Sequence, residues 1–209
     1  MIIEKLKKDE HLSVQITNSL GNEIISVYGK YINNNSVDLD TAIRLKKIDL
    51  NWTLYEVQRD QEYLIREFSD ETLAKLSLYL YVSNHFNPVE PDDVVIEKLW
   101  ELESDSDLEV ADNCLADALG SQYYSFRESR IDCINLKLRE DNHYDIYYLS
   151  PTGEIAMISE DRKLPNAFIV VYNFGFVLKQ FKEVIYPQLI AYDLSPSQVE
   201  LLKRVYLKK

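Results

Sequence analysis

Glycine, histidine and cysteine are scarce in this chain, and each scarcity narrows the chemistry open to it. The five glycines, Gly21, Gly29, Gly120, Gly153 and Gly175, never fall close enough together to cradle a phosphate. Neither a P-loop nor a dinucleotide fingerprint is present. The three histidines, His11, His85 and His143, stand singly, with no i, i+4 pair of the zinc-protease kind and no Cys-x-x-Cys for a zinc knuckle. Two cysteines, Cys114 and Cys133, build no disulfide framework and read as reduced core thiols. No apolar run reaches the ~18 residues of a membrane helix. The opening residues, MIIEKLKKDEH, lack the apolar segment of a secretion signal, so a cytoplasmic location is the expectation.

Positive charge is also in short supply. Against 35 Asp and Glu the chain has 23 Lys and Arg, a net charge of −12. Binding to nucleic acid draws most of its affinity from cations that neutralise phosphates, and anionic membranes make the same demand. Neither partner is expected. The deficit is concentrated in one place: residues 90–117 hold eleven acids and one base, Lys98, which is −10 of the total.

Within that stretch Ile96, Leu99 and Trp100 recur at helical spacing, while Glu97, Glu101 and Glu103 lie off the stripe. A helix over 94–103 follows. Ser106 stands three residues before Glu109, the spacing of a capping box, and Leu108, Ala111, Leu115, Ala118 and Leu119 form a second stripe that stops at Gly120. The stretch therefore reads as an acidic helix pair. Asp105, Asp107 and Glu109 alternate as in a calcium loop but lack its turn glycine and distal Glu, and no motif in the chain calls for a metal or cofactor.

Along the rest of the chain, 1–10 reads as a short amphipathic helix, 12–17 as a strand and 18–22 as a turn. Residues 23–32 fit a strand by β-branching and a helix by spacing; 32–36, with three asparagines, is a loop. From 40 to 68 the pattern reads as polar helix with a break near 49–51, and a clearer helix runs from Ser69 through Val82. After Gly120 the period changes to two: Ile134, Leu136 and Leu138 alternate with Asn135, Lys137 and Arg139, and 143–150 and 155–158 complete an antiparallel meander. The apolar run 168–181, with Gly175 inside it, fits a bent central strand or a strand passing into a helix. Ser195-Pro196-Ser197-Gln198 opens a terminal helix, 196–207, whose Lys203, Arg204, Lys208 and Lys209 complement its dipole.

The expected fold is α+β in a single domain over 1–209: helix-rich 37–120, packed on a mainly antiparallel sheet from strand-rich 122–181, with a docked C-terminal helix. The expected function is a non-enzymatic, acidic protein-binding module. It would be an inhibitor or immunity-type protein covering the functional surface of a basic toxin or nucleic-acid-handling effector through Asp92, Asp93, Glu97, Trp100, Glu101, Asp105, Asp107, Glu109 and Asp112. The fifteen tyrosines suit such a surface, though a half-buried sheet uses them equally well. Two other readings stand beside it. One is an anti-defence protein whose carboxylates mimic nucleic-acid phosphates. The other is an enzyme assembled from distant residues: Cys114 or Cys133 with His85 or His143, or Cys133, His143 and Asp145 together.

Overall fold

A computed structural model describes residues 2–19, 22–31, 36–140 and 142–209. The chain, read from its sequence as one domain, clusters into two compact units, Met1–Pro88 and Val89–Lys209.

The first unit is a five-stranded antiparallel meander with helices before and after it. Helix α1 (Ile2–Lys8) leads into β1 (Leu12–Ser19), β2 (Asn22–Lys30), β3 (Val37–Ile48), β4 (Asn51–Gln58) and β5 (Gln61–Phe68), in that spatial order, and α2 (Glu71–Phe86) closes it. The ambiguous segment 23–32 is thus strand through Lys30. Most of the loop read at 32–36 and the middle of the turn at 18–22 lie outside the described residues.

The polar helix read over 40–68 is overturned, because β3, β4 and β5 occupy it. Ile43 and Leu45 point to the covered face and are fully buried, while Arg44 and Lys46 between them take the other face and share Glu62. That alternation was present in the sequence, but its turns carried no usual marker. The β4–β5 hairpin turns through Arg59 and Asp60, both with positive φ (49° and 65°), where Asn-Gly or Asp-Gly would ordinarily stand. The break foreseen near 49–51 is the β3–β4 turn, with Asp49 at φ 56°. Helix α2 begins two residues later than read and runs on to Phe86, beyond the end read at Val82; it is capped by Asp70, whose side chain accepts from the Leu73 amide at 2.7 Å. It lays Leu76, Leu78 and Leu80 into a core shared with Ile25, Val27, Trp52 and Leu54.

In the second unit come α3 (Asp93–Trp100), a 3₁₀ turn (Asp105–Asp107), α4 (Leu108–Ala118) and a four-stranded sheet. That sheet is β6 (Tyr124–Ser125), β7 (Cys133–Leu138), β8 (Tyr144–Leu149) and β9 (Ile155–Arg162), in sequence order. The meander β7–β9 is antiparallel as expected; the two-residue β6, parallel to β7, carried no sequence signal.

The strand-rich reading of 122–181 fails beyond Arg162. Residues 168–181 lie almost wholly in α5 (Asn166–Gln180), which continues through a π turn (Phe181–Ile185) into the short α6 (Tyr186–Leu189). A helix apolar on every side has no polar face to betray its period. Helix α5 lies on the sheet and also packs against α3, so Phe168, Val171, Tyr172 and Leu178 are fully or almost fully buried. Its glycine serves that packing, since a Cβ on Gly175 would stand 2.7 Å from Leu119 Cδ1.

The terminal helix α7 (Pro196–Tyr206) has the foreseen capping box: Ser195 N donates to Gln198 Oε1 at 2.8 Å, and Gln198 N to Ser195 Oγ at 3.3 Å. Its basic residues do more than complement a dipole. Lys203, only 6% exposed, donates to Asp132 Oδ1 (2.6 Å), Glu200 Oε2 (2.9 Å) and Tyr148 Oη (3.0 Å). Lys182 reaches Asp132 Oδ2 at 2.7 Å. Burial raises the Asp132 carboxyl, but hydrogen bonds and charge from Lys182 and Lys203 outweigh it and hold the group below its ordinary value of 3.8. Asp132→Asn should therefore lower stability at neutral pH by about 3 kcal/mol. This is the lower end for a broken buried pair, since the Asp132 side chain keeps 33% exposure. Because the folded value is depressed, the contribution is complete above pH 3.8 and disappears as pH falls through the lowered value. Urea unfolding of both proteins across that range should show the difference shrinking with acid.

Candidate functional site

Helices α3 and α4 pack against each other, and Leu99, Ala111, Leu115 and Leu119 sink into the core of the second unit. Once those apolar stripes face inward, the intervening positions must face solvent. On α3 the residues at i, i+4 and i+8 are Asp93, Glu97 and Glu101, all exposed. Glu109 and Asp117 are exposed on α4, and Glu90 and Glu103 before and between the helices. Among the described side chains no ion pair joins a Lys or Arg to any carboxylate of 90–117.

The proposed site residues fall into two groups. Asp93, Glu97, Trp100, Glu101 and Glu109 are exposed. Asp92, Asp107 and Asp112 are engaged by the fold. Asp92 caps α3, accepting from the Val94 amide at 2.9 Å. Asp107 binds the preceding turn instead of offering its carboxylate outward: Ser104 donates to its Oδ2 from both backbone N (3.0 Å) and Oγ (2.8 Å), which holds the carboxyl below its usual range. This pair, and not Ser106 with Glu109, organises the start of α4. Asp112 is half-buried and accepts the Tyr124 hydroxyl at 2.7 Å, while its backbone carbonyl accepts the same hydroxyl at 2.6 Å. Asp105 lies in the 3₁₀ turn, and its side chain is outside the described residues.

Trp100 is 50% exposed at the end of α3, and Val94 and Val110 are 56% and 54% exposed beside the acids. The two valines were not singled out in the sequence. Their signal was available: each directly follows an outward carboxylate, Asp93 or Glu109, and so lies off the buried stripe. The two helices thus expose carboxylates, one aromatic ring and two aliphatic side chains.

Cys133, His143 and Asp145 do not converge. Cys133 pairs with Leu149 at one end of the β7–β8 ladder and Asp145 with Lys137 four residues along it, about 13 Å at the rise of a strand. His143 Nδ1 contacts Asp161 Oδ1 at 2.6 Å, and the Cys133 thiol donates to Gln122 O at 3.2 Å. Burial pushes both cysteine thiols up, so neither is a ready thiolate. Among the described residues no three His, Cys, Asp or Glu side chains gather as a metal site, and no helix is long and apolar enough to cross a membrane.

Compared with protein families, curated proteins and solved structures, the chain gives no match.

The division between engaged and free acids has a measurable consequence. Tyr124→Phe should cost about 1 kcal/mol, the worth of a hydrogen bond to a partly buried acceptor. Replacing Glu97, Glu101 and Glu109 together by Gln should leave stability unchanged or raise it at low salt, because it removes mutual repulsion. Thermal unfolding at two ionic strengths separates the two behaviours; a triple variant less stable at both would assign those carboxylates a structural role.

Proposed function

We propose that this protein is an acidic binding module that covers the basic functional surface of a partner protein, in the manner of an inhibitor or immunity protein. The observation that carries the reading is the set of exposed, unpaired carboxylates on the packed helices α3 and α4, together with the half-exposed Trp100 at the end of α3. Like charges held together on a folded surface gain from a cationic partner, and that complementarity raises the association rate more than the final affinity. Affinity then needs an anchor. Tryptophan is among the residue types that most often carry binding energy.

The same ring favours a protein partner over mimicry of nucleic acid, since phosphate mimicry requires spaced charge and no apolar anchor. The carboxylates that supply the docking charge in this reading are Asp93, Glu97, Glu101 and Glu109; Asp107 and Asp112 shape the helix pair from within.

A pull-down at low and high salt, read by mass spectrometry, identifies the partner, and variants then test the surface. Glu97→Lys, Glu101→Lys and Glu109→Lys together should slow association at least tenfold at low salt and flatten its dependence on ionic strength. Trp100→Ala should weaken affinity roughly thirtyfold, about 2 kcal/mol, chiefly through faster dissociation. An unchanged association rate and salt dependence in the charge-reversed protein would remove the acidic helices from the interface.

A further inference from the structure

One edge of the first unit's sheet is left open. Strand β1 stands at the end of the strand order and pairs with β2 in an unbroken register from Leu12↔Gly29 to Ser19↔Asn22. Lys30 N donates to His11 O at 2.8 Å, which puts the odd-numbered residues of β1 in the hydrogen-bonded pairs with β2. The even-numbered Val14, Ile16 and Asn18 therefore direct their N–H and C=O groups outward. Among the described residues no other element takes them up.

Exposed edges are ordinarily blunted by charge, proline, a bulge or shortness. The other edges of both sheets follow that rule. Strand β5 carries Glu62, Arg66 and Glu67 and a register shift against β4. Strand β9 ends in Glu160, Asp161 and Arg162, with two shifts against β8, and β6 has only two residues. Strand β1, LSVQITNS, is eight residues long with no charge, no proline and no bulge.

The side chains of the open strand select what can lie beside it. Read outward from Gln15 they are symmetric by kind: Val14 and Ile16 are apolar, and Ser13 and Thr17 carry hydroxyls. In an antiparallel pairing about a two-fold axis at Gln15, Val14 meets Ile16 of the second copy on the face that also carries Ile25 and Val27. Ser13 meets Thr17 on the other face, where hydroxyl pairs hydrogen-bond, and Gln15 meets its own counterpart. A two-fold axis repeats each of these contacts, as in other isologous dimers. Ile16, 39% exposed, is the apolar group that the pairing covers. No Asp, Glu, Lys or Arg occurs from 11 to 22, so the two strands meet without like charges opposed.

We propose that β1 pairs with β1 of a second copy, antiparallel and centred on Gln15, joining the two five-stranded sheets edge to edge. A single pair of short strands lies at the small end of protein interfaces, so the dimer belongs to roughly micromolar concentrations and above. Each copy carries a net charge of −12, and salt that screens this repulsion should favour the dimer. Docking of a cationic partner on α3 and α4 would respond to salt in the opposite sense. The two readings therefore fail separately.

The test is sedimentation equilibrium of the full chain from about 5 to about 500 µM, the range suited to a small interface, joined to disulfide trapping. A reversible monomer–dimer equilibrium that shifts toward dimer with added salt is expected. Ile16→Pro removes an outward N–H at an edge position that tolerates proline, and should weaken dimerisation at least tenfold with little change in thermal unfolding. Gln15→Cys places two thiols in a directly opposed, non-hydrogen-bonded pair, with Cα atoms about 4.5 Å apart, within disulfide range. Mild oxidation should trap it as a covalent dimer at least tenfold faster than Ser13→Cys, whose thiols would stand about 13 Å apart along the strand. The parent chain, with Cys114 and Cys133, sets the background. Should Ile16→Pro fail to fold, the trapping comparison carries the test alone. A monomer at every concentration, a dimer that salt dissociates or that a folded Ile16→Pro retains, or equal trapping at 13 and 15 would overturn the assignment.

Discussion

Helix α5 has no charged side chain before Lys179, and that single fact organises the second unit. A helix apolar on all sides has to be covered on all sides, at a gain of roughly 1.5–3 kcal/mol for each large side chain taken from water. The sheet β7–β9 covers one side, and α3 packs on α5 with α4 beside it. The apolar stripes of α3 and α4 are consumed in that covering, which leaves their carboxylates only the outer surface. The negative patch is thus the far side of a packing solution. The closeness of that packing shows at Gly175, where an added Cβ would stand 2.7 Å from Leu119 Cδ1 and force that side chain to shift.

Elements whose ends carry specific chemistry were legible in the sequence. The Ser195-Pro196-Ser197-Gln198 start of α7 and the meander β7–β9, with its Ser150–Gly153 turn, declared themselves through capping and turn residues as well as period. Two regions were not legible, for opposite reasons. Strands β3 to β5 alternate, but their turns at Asp49 and at Arg59-Asp60 place ordinary side chains at positive φ, so the punctuation that marks a hairpin was missing. Helix α5 lacked the contrast from which any period is read. Both errors moved the boundary between helix and strand, and together they hid the complete antiparallel sheet of the first unit.

The candidate surface was legible as charge and illegible as geometry. Counting carboxylates located the helix pair, but spacing along the chain did not reveal that Asp112 turns inward to Tyr124 or that Asp107 is held by Ser104. The Asp132, Lys182, Glu200 and Lys203 cluster had no local signature at all. Its members lie up to 71 residues apart, and Lys203 looked like one of several cations at a helix C-terminus. Contacts between distant segments are set by packing, and no period or motif announces them.

The two charged regions of the second unit illustrate how burial decides what a charge does. Around Lys203 the groups are partly withdrawn from water, where an unpaired charge would cost several kcal/mol, and each Lys is matched to a carboxylate. On α3 and α4 the charges stay in water. Two carboxylates about 6 Å apart there repel by only about 0.7 kcal/mol at the dielectric constant of water, and physiological salt screens them over about 8 Å. The fold tolerates that much without internal partners. It follows that relief of repulsion alone is too weak to hold a partner for long: in the binding role proposed above, the carboxylates would set how fast and in what orientation a cationic surface arrives, and the exposed ring of Trp100, with Val94 and Val110, would set whether it stays.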